Sequence, residues 1–264
     1  MVKPQAIAAP ERLSAVDEQT TAVHLQLVDA LRLRYQPIIR LADLHCESVE
    51  VLARSEDRNG GLAGPETIVE AMTGAVESMA LTGAILHRTL AELVQGGVDS
   101  IRLACNLPLD AMLHPDLLEN IEMIRARHGV PAQRIRFELT ERHPVEDIGS
   151  VAGVIAMLRQ AGYVLALDDI TPDMPNLAAL LNLPLHAIKL DRSIVIGGTR
   201  ADNAFIRNIV AHAQTSLQQV IAEGIETKQT QKRMQRLGVT HGQGYLFAHP
   251  LTASELRAFL ERAG

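Results

Sequence analysis

Residues 164–169 read Val-Leu-Ala-Leu-Asp-Asp. Four apolar residues followed at once by two carboxylates are the pattern of a short buried strand that ends where it meets solvent. A helical stretch over 145–161 precedes it and Gly162 closes that stretch. The next apolar run, 187–190, carries Lys189. Working outward, strand-like runs fall at 34–40, 48–54, 100–107, 134–140, 219–222 and 240–244. Helical stretches fall at 65–79, 81–95, 115–127, 201–217, 228–237 and 253–262, with Thr227 and Thr252 as caps and Gly129 and Gly238 as stops. Eight strands with helices between most of them predict a mostly parallel sheet closed into a (β/α)8-type barrel. No GxGxxG supports an open dinucleotide-binding sheet instead. Upstream, Val23, Leu25, Leu27, Val28, Leu31 and Leu33 suggest a helical stripe with Ser14 as a possible N-cap. The expected division is a tail and linker helix over 1–32 and a barrel over 33–264.

Composition narrows the function classes. Of 264 residues, 47% are hydrophobic and 21% charged, enough for a packed core. Aromatics are 3% and Trp is absent, which argues against rows of stacking rings on single-stranded nucleic acid. A formal charge of -6 argues against duplex nucleic acid and against an anionic membrane surface. Cys46 and Cys105 form no CxxC pair, and both read as small buried hydrophobes. No apolar run is long enough to span a bilayer, and the first twelve residues lack a signal-peptide core. The expected compartment is the cytoplasm.

In such a barrel the chemistry sits at the C-terminal ends of the strands. Those ends carry Glu50, Asn106, Glu138 with Glu141, Asp168–Asp169, Lys189, Glu223 with Glu226, and Gln243. Any one of them is explained by a strand meeting water. Together they would point at one mouth, and so many carboxylates cannot all stay ionised there without cations. An oxygen-rich set suits Mg2+ or Mn2+, and a pair of such ions is the usual clamp for phosphodiester hydrolysis. The ten histidines are scattered, with no HExxH, and no GxSxG or P-loop is present.

The segments Tyr35-Gln36-Pro37-Ile38, Glu50-Val51-Leu52-Ala53-Arg54, Asn106-Leu107, Glu138-Leu139-Thr140-Glu141, Asp168-Asp169, Lys189-Leu190-Asp191-Arg192-Ser193, Ala222-Glu223-Gly224-Ile225-Glu226 and Gln243-Gly244-Tyr245-Leu246-Phe247 with Pro250 stand in this order. In that order the chain resembles the EAL-domain phosphodiesterases, which cleave cyclic di-GMP to linear pGpG in bacterial second-messenger signalling. The name-giving motif reads Glu50-Val51-Leu52 here. The resemblance covers about 33–260. It implies a modified TIM-type barrel with one antiparallel strand, a two-metal site, cyclic di-GMP as ligand and a homodimer. It implies Glu50, Asn106, Glu138, Asp168, Asp169 and Glu223 as metal ligands. Lys189, Glu223, Asp169 and Glu226 would act in catalysis. Gln36, Arg54, Asp191, Gln243 and Pro250 would contact substrate, and Glu141 would anchor the loop after the aspartates.

That loop departs from the family. A Phe-Gly-Thr-Gly pattern is usual there, and Ile170-Thr171-Pro172-Asp173-Met174-Pro175-Asn176 stands in its place. Pro108 replaces a usual serine, Ser55 replaces a common aromatic, and Ala248-His249-Pro250 replaces Gly-Arg-Pro. The loop leaves two expectations open: a phosphodiesterase of low activity, or a degenerate domain that binds cyclic di-GMP or a protein partner without turnover.

Overall fold

The computed structural model describes residues 31–56, 61–63, 74–98, 100–140 and 147–263. Among the described residues nine strands form one sheet: β1 (Leu31–Arg40), β2 (Cys46–Glu56), β3 (Leu62–Ala63), β4 (Arg102–Pro108), β5 (Ile135–Thr140), β6 (Val164–Ile170), β7 (Ala187–Leu190), β8 (Gln219–Ala222) and β9 (His241–Gly242). Their order is β1-β9-β8-β7-β6-β5-β4-β2-β3, and a β1–β2 pairing closes eight of them into a barrel. From β2 through β4 to β9 neighbouring strands are parallel, whereas β1 is antiparallel to both β2 and β9. The expected modified barrel with one antiparallel strand is what forms. The cause is local. Only 41–45 separates β1 from β2, and the Arg40 N–H donates to the His45 carbonyl (2.9 Å) while Leu44 turns through a positive φ. So short a link permits a hairpin and no crossover helix.

β1 corrects one expectation. Leu31 and Leu33 were placed on a helical stripe, yet they are strand residues, buried alternately with Arg32 and Arg34. Period two over Leu31, Leu33 and Tyr35 wins because β2 offers a continuous partner, with Leu31 opposite Ser55. The rest of that stripe and Ser14 lie outside the described residues. A second correction concerns 65–79 and 81–95. From Ala75 to Gln95 the chain is one helix, α1. Ala80 is a strong helix former, and Ser78, Thr82, Leu86 and Leu90 continue a single buried face across it. Residues 65–73 lie outside the described ones. The expected eighth strand over 240–244 shortens to His241–Gly242, because the Ile225 N–H takes the Gln243 carbonyl (2.9 Å).

The remaining helices among the described residues are α2 (Leu109–Met112), α3 (Leu117–Arg127), α4 (Ile148–Gln160), α5 (Leu177–Leu181), α6 (Arg192–Gly197), α7 (Arg200–Ser216), α8 (Lys228–Leu237) and α9 (Ala253–Ala263). Those at 109–112, 177–181 and 192–197 are too short to leave a periodic signal and were not expected. Thr227 caps α8 by accepting from the Thr230 N–H (3.1 Å), and Gly162 follows α4 at φ 95, which lets the chain turn directly into β6. Among the described residues no helix is long and apolar enough to cross a membrane.

The outer core lies between sheet and helices, for example Ile206, Ile209, Val210 and Ala213 on one face of α7. Inside the barrel the apolar layer is thin: Ile38, Ala104, Ala166, Ala187 and Ile221. Three alanines leave room for long polar side chains to enter from either end. Below them Arg136, fully buried, reaches across to Gln219 (2.9 Å). The Gln219 amide donates to Glu47 (2.7 Å), which also meets Arg102 (3.2 Å) and His241 (3.0 Å). Burial works against the charge of Glu47, but the hydrogen bonds from His241 and Gln219 outweigh it and hold the carboxyl down at about 2.

Candidate active site

Above the alanine layer the inward faces turn acidic. Glu138 follows Arg136 by two residues on β5, so period two sends both inward. By the same rule β4 presents Asn106 above Ala104, β6 presents Asp168 above Ala166, and β7 presents Lys189 above Ala187. Asn106 stands in register with Glu138, and Gln36 on β1 stands opposite Glu50 on β2. Glu223 and Gln243 each follow the last residue of their strand, β8 and β9.

Asp169 breaks the alternation. Its φ is 50, and the β6–β7 register slips between Leu167 and Ile170. A regular strand would aim consecutive aspartates to opposite faces. The irregularity lets both join the mouth, and aspartate tolerates the left-handed region better than most residues. Such strain at a cluster of charged groups is a mark of a functional site.

Lys189 is the hub. Its Nζ lies 2.7 Å from Glu223, 2.8 Å from both Glu138 and Asp168, and 3.5 Å from Glu50. Burial opposes the ammonium charge, yet Asp168, Glu138, Glu223 and Glu50 together raise its pKa well above that of an ordinary lysine. One ammonium does not balance five carboxylates. Burial pushes Glu138 up to about 8 against the pull of Lys189. Asp169 is pushed up to about 6, first by partial desolvation and then by Asp168. Burial likewise raises Asp168, and raises Glu223 well above the carboxylate range. Gln243 ties the β1 edge to this cluster, donating to Glu50 (2.6 Å) and to Gln36 (2.9 Å).

The donor set fits a hard divalent cation. Glu50, Glu138 and Asp168 bring ligand atoms within 4.8 Å of one another, and so do Asp168, Asp169 and Glu223. Asn106 Oδ1 and Glu138 Oε1 are buried acceptors with no hydrogen-bond partner, which is costly unless something else coordinates them. This arrangement gives a testable sign. A raised carboxylate pKa contributes stability that is full below the unfolded value near 4 and is lost as pH rises through the folded value. In chelator, the melting temperature should therefore fall between about pH 7 and about pH 9, above the histidine range, as Glu138 ionises. A divalent cation should stabilise more at the alkaline end, and Glu138→Gln should flatten the slope. A melting temperature that rises over that window in chelator would contradict the assignment.

The other expected residues are distributed around this centre. Gln36 is buried and its amide faces the Ala248 carbonyl (3.4 Å). Arg54 lies four residues beyond Glu50 on the same face of β2, roughly 13 Å along the strand. Its guanidinium donates to the Ala53 carbonyl (2.8 Å) and to no carboxylate among the described residues. Asp191 caps α6 by accepting from the Ser193 N–H (2.8 Å). Pro250 precedes Leu251, whose backbone pairs with Tyr35. Glu226 forms an exposed ion pair with Arg192 (2.6 Å). Glu141 lies outside the described residues.

Beside the cluster opens a cleft lined by Gln36, Arg192, Glu223, Glu226, Gln243 and Tyr245. Arg192 and Tyr245 stand inside two of the segments that carry the resemblance, but the sequence gives neither a role: their side chains are brought to the cleft by the fold.

An acidic mouth at the C-terminal ends of barrel strands, built around a buried lysine, defines a class of site suited to binding a cation and a phosphate together. Residues 20–250 match the family described as EAL domain. The chain belongs to the EAL domain family. The cyclic di-GMP phosphodiesterase NbdA of Pseudomonas aeruginosa is 31% identical over 239 residues, 88% of this chain and 30% of that protein. The cyclic di-GMP phosphodiesterase PA2567 of the same species is 29% identical over 89% of this chain and 40% of its own length. The chain thus spans less than half of these relatives. Among solved structures, the PaMucR phosphodiesterase in complex with c-di-GMP superimposes with a TM-score of 0.80 at 25% identity, over 90% of this chain and 99% of that one.

Proposed function

We propose that this chain hydrolyses cyclic di-GMP to linear pGpG with Mg2+ or Mn2+. The observation that carries the reading is the pair of carboxylate triads sharing Asp168 around Lys189. Glu50, Asn106, Glu138, Asp168, Asp169 and Glu223 would hold two cations. When bound, such ions polarise phosphoryl oxygens and lower the pKa of water, which makes a nucleophile at neutral pH. The protein supplies the rest. Lys189 keeps a fixed positive charge at the reacting end, where negative charge builds on the phosphoryl oxygens. Gln243 orients Glu50 and Gln36 through its two hydrogen bonds. Arg54 offers a forked donor for a phosphate. Asp169 and Glu226 complete the acidic rim, and Asp191 and Pro250 shape the binding edge.

The test is incubation with cyclic di-GMP and either ion, followed by separation of the linear product. Product should form with wild type. It should vanish with Glu50→Ala while the protein stays folded in the cation-free state, because Glu50 faces the mouth and not the apolar core. Glu50→Ala that turns over like wild type would remove this reading. A second reading, binding without turnover, is favoured by the glycine-free loop after Asp169.

A further inference from the structure

Aromatic side chains are scarce in this chain and almost all of them are used in packing. Tyr35 and Tyr163 are buried, and Phe137 stacks on Tyr163 inside the core (5.2 Å between centroids). Tyr245 is the exception. It is 52% exposed and lines the cleft beside Glu223 and Gln243. Its ring lies on His249, with centroids 4.0 Å apart and planes 30° apart.

The backbone beneath this pair is fixed. Gly244, at φ 153, passes so close to Ile225 that a Cβ there would come within 2.3 Å of the Ile225 backbone. On either side of it the Ile225 N–H donates to the Gln243 carbonyl (2.9 Å) and the Leu246 N–H donates to the Ile225 carbonyl (3.0 Å). Tyr245 is therefore held from below by the turn and from one side by the imidazole, and its remaining surface faces the cleft. An aromatic face that is open in the cleft, and fixed from behind, is available to stack on a planar ligand group.

We propose that Tyr245, backed by His249, is the platform on which the ligand's nucleobase stacks, and that this pair sets the preference for nucleotide diesters over base-free phosphate esters. The inference rests on the phosphodiesterase reading. Every nucleobase has a face that an aromatic ring can cover, and such a contact weighs on binding more than on the chemical step. His249 is a positioning residue: it reduces the rotamer freedom that Tyr245 would otherwise lose on binding.

Three tyrosines in the chain make the test direct. With ring-labelled tyrosine, the Tyr245 resonance, identified by its loss in Tyr245→Phe, should move on titration with GMP and stay in place with ribose 5-phosphate. Tyr35 and Tyr163 serve as internal references. Tyr245→Ala should raise KM for cyclic di-GMP about tenfold and leave kcat within about twofold. Tyr245→Phe should behave like wild type. His249→Ala should raise KM by about threefold, and His249→Phe should restore it. A Tyr245 resonance unmoved by GMP, or an unchanged KM in Tyr245→Ala, overturns the platform. If wild type neither binds nor cleaves cyclic di-GMP, the phosphodiesterase reading falls by itself. The GMP and ribose 5-phosphate titrations then still decide the platform, for it if only GMP moves Tyr245 and against it otherwise.

Discussion

Lys189→Met should destabilise the cation-free protein by about 3–5 kcal/mol at pH 8, the range seen when one partner of a buried ion pair is removed. The methionine is close to lysine in volume, so the loss isolates charge from packing. What remains would be Glu50, Glu138, Asp168 and Glu223 facing one another without their shared ammonium. Two features bound the effect. Lys189 lowers the pKa of each raised carboxylate, so its removal drives them further towards the protonated form. The penalty should therefore shrink as pH falls. A saturating divalent cation should also recover much of the loss, by neutralising the same carboxylates. Urea denaturation in chelator and in Mn2+, at two pH values, reads both. Equal stability of variant and wild type at pH 8 in chelator would show that the lysine is not the counter-charge of the cluster.

The same arithmetic explains which parts of the molecule were legible in the sequence. Asp168 ends the apolar run of β6, and period two sends Glu138, Asp168 and Lys189 to the inward side near the C-terminal ends of three successive strands, which predicts their convergence. The polar network at the closed end gave no such signal. Gln219 meets Glu47 from 172 positions away and His241 meets it from 194. Each of the three reads alone as an ordinary polar residue at the start of a strand. Tyr245 and His249 are only four residues apart, but they lie in a turn, where spacing carries no information on which side chains meet. Leu31 and Leu33 are ambiguous for a different reason: two leucines two apart suit the edge of either period until a partner strand is known.

Replacing Thr171-Pro172-Asp173 by Gly-Thr-Gly should raise kcat for cyclic di-GMP by up to about 100-fold, with KM changed by less than about threefold. The structure shows how the glycine-free loop is built. Ile170 is not part of it: it ends β6, fully buried, and pairs with Leu190. The Met174 N–H then closes a turn onto the Thr171 carbonyl (3.2 Å) with Pro172 at its second position. Asn176 takes the left-handed conformation, φ 55, that leads into α5. The chain thus replaces glycine freedom with a proline turn and an asparagine, and Met174 and Leu177 pack against the core. A loop so anchored holds the backbone after Asp169 in one place. Asp169 already sits at a strained φ of 50 and is shared between the triad and the rim. A displacement of about 1 Å at such a group costs around two orders of magnitude in rate, while ligand contacts elsewhere in the cleft are untouched. The substitution keeps Ile170 so that the buried end of β6 is not overpacked. Measured kcat and KM for both proteins decide. If wild type is already as fast as the graft, the loop does not limit turnover. If neither protein forms product while both bind cyclic di-GMP, the chain is a receptor, and the carboxylates serve to bind the ligand.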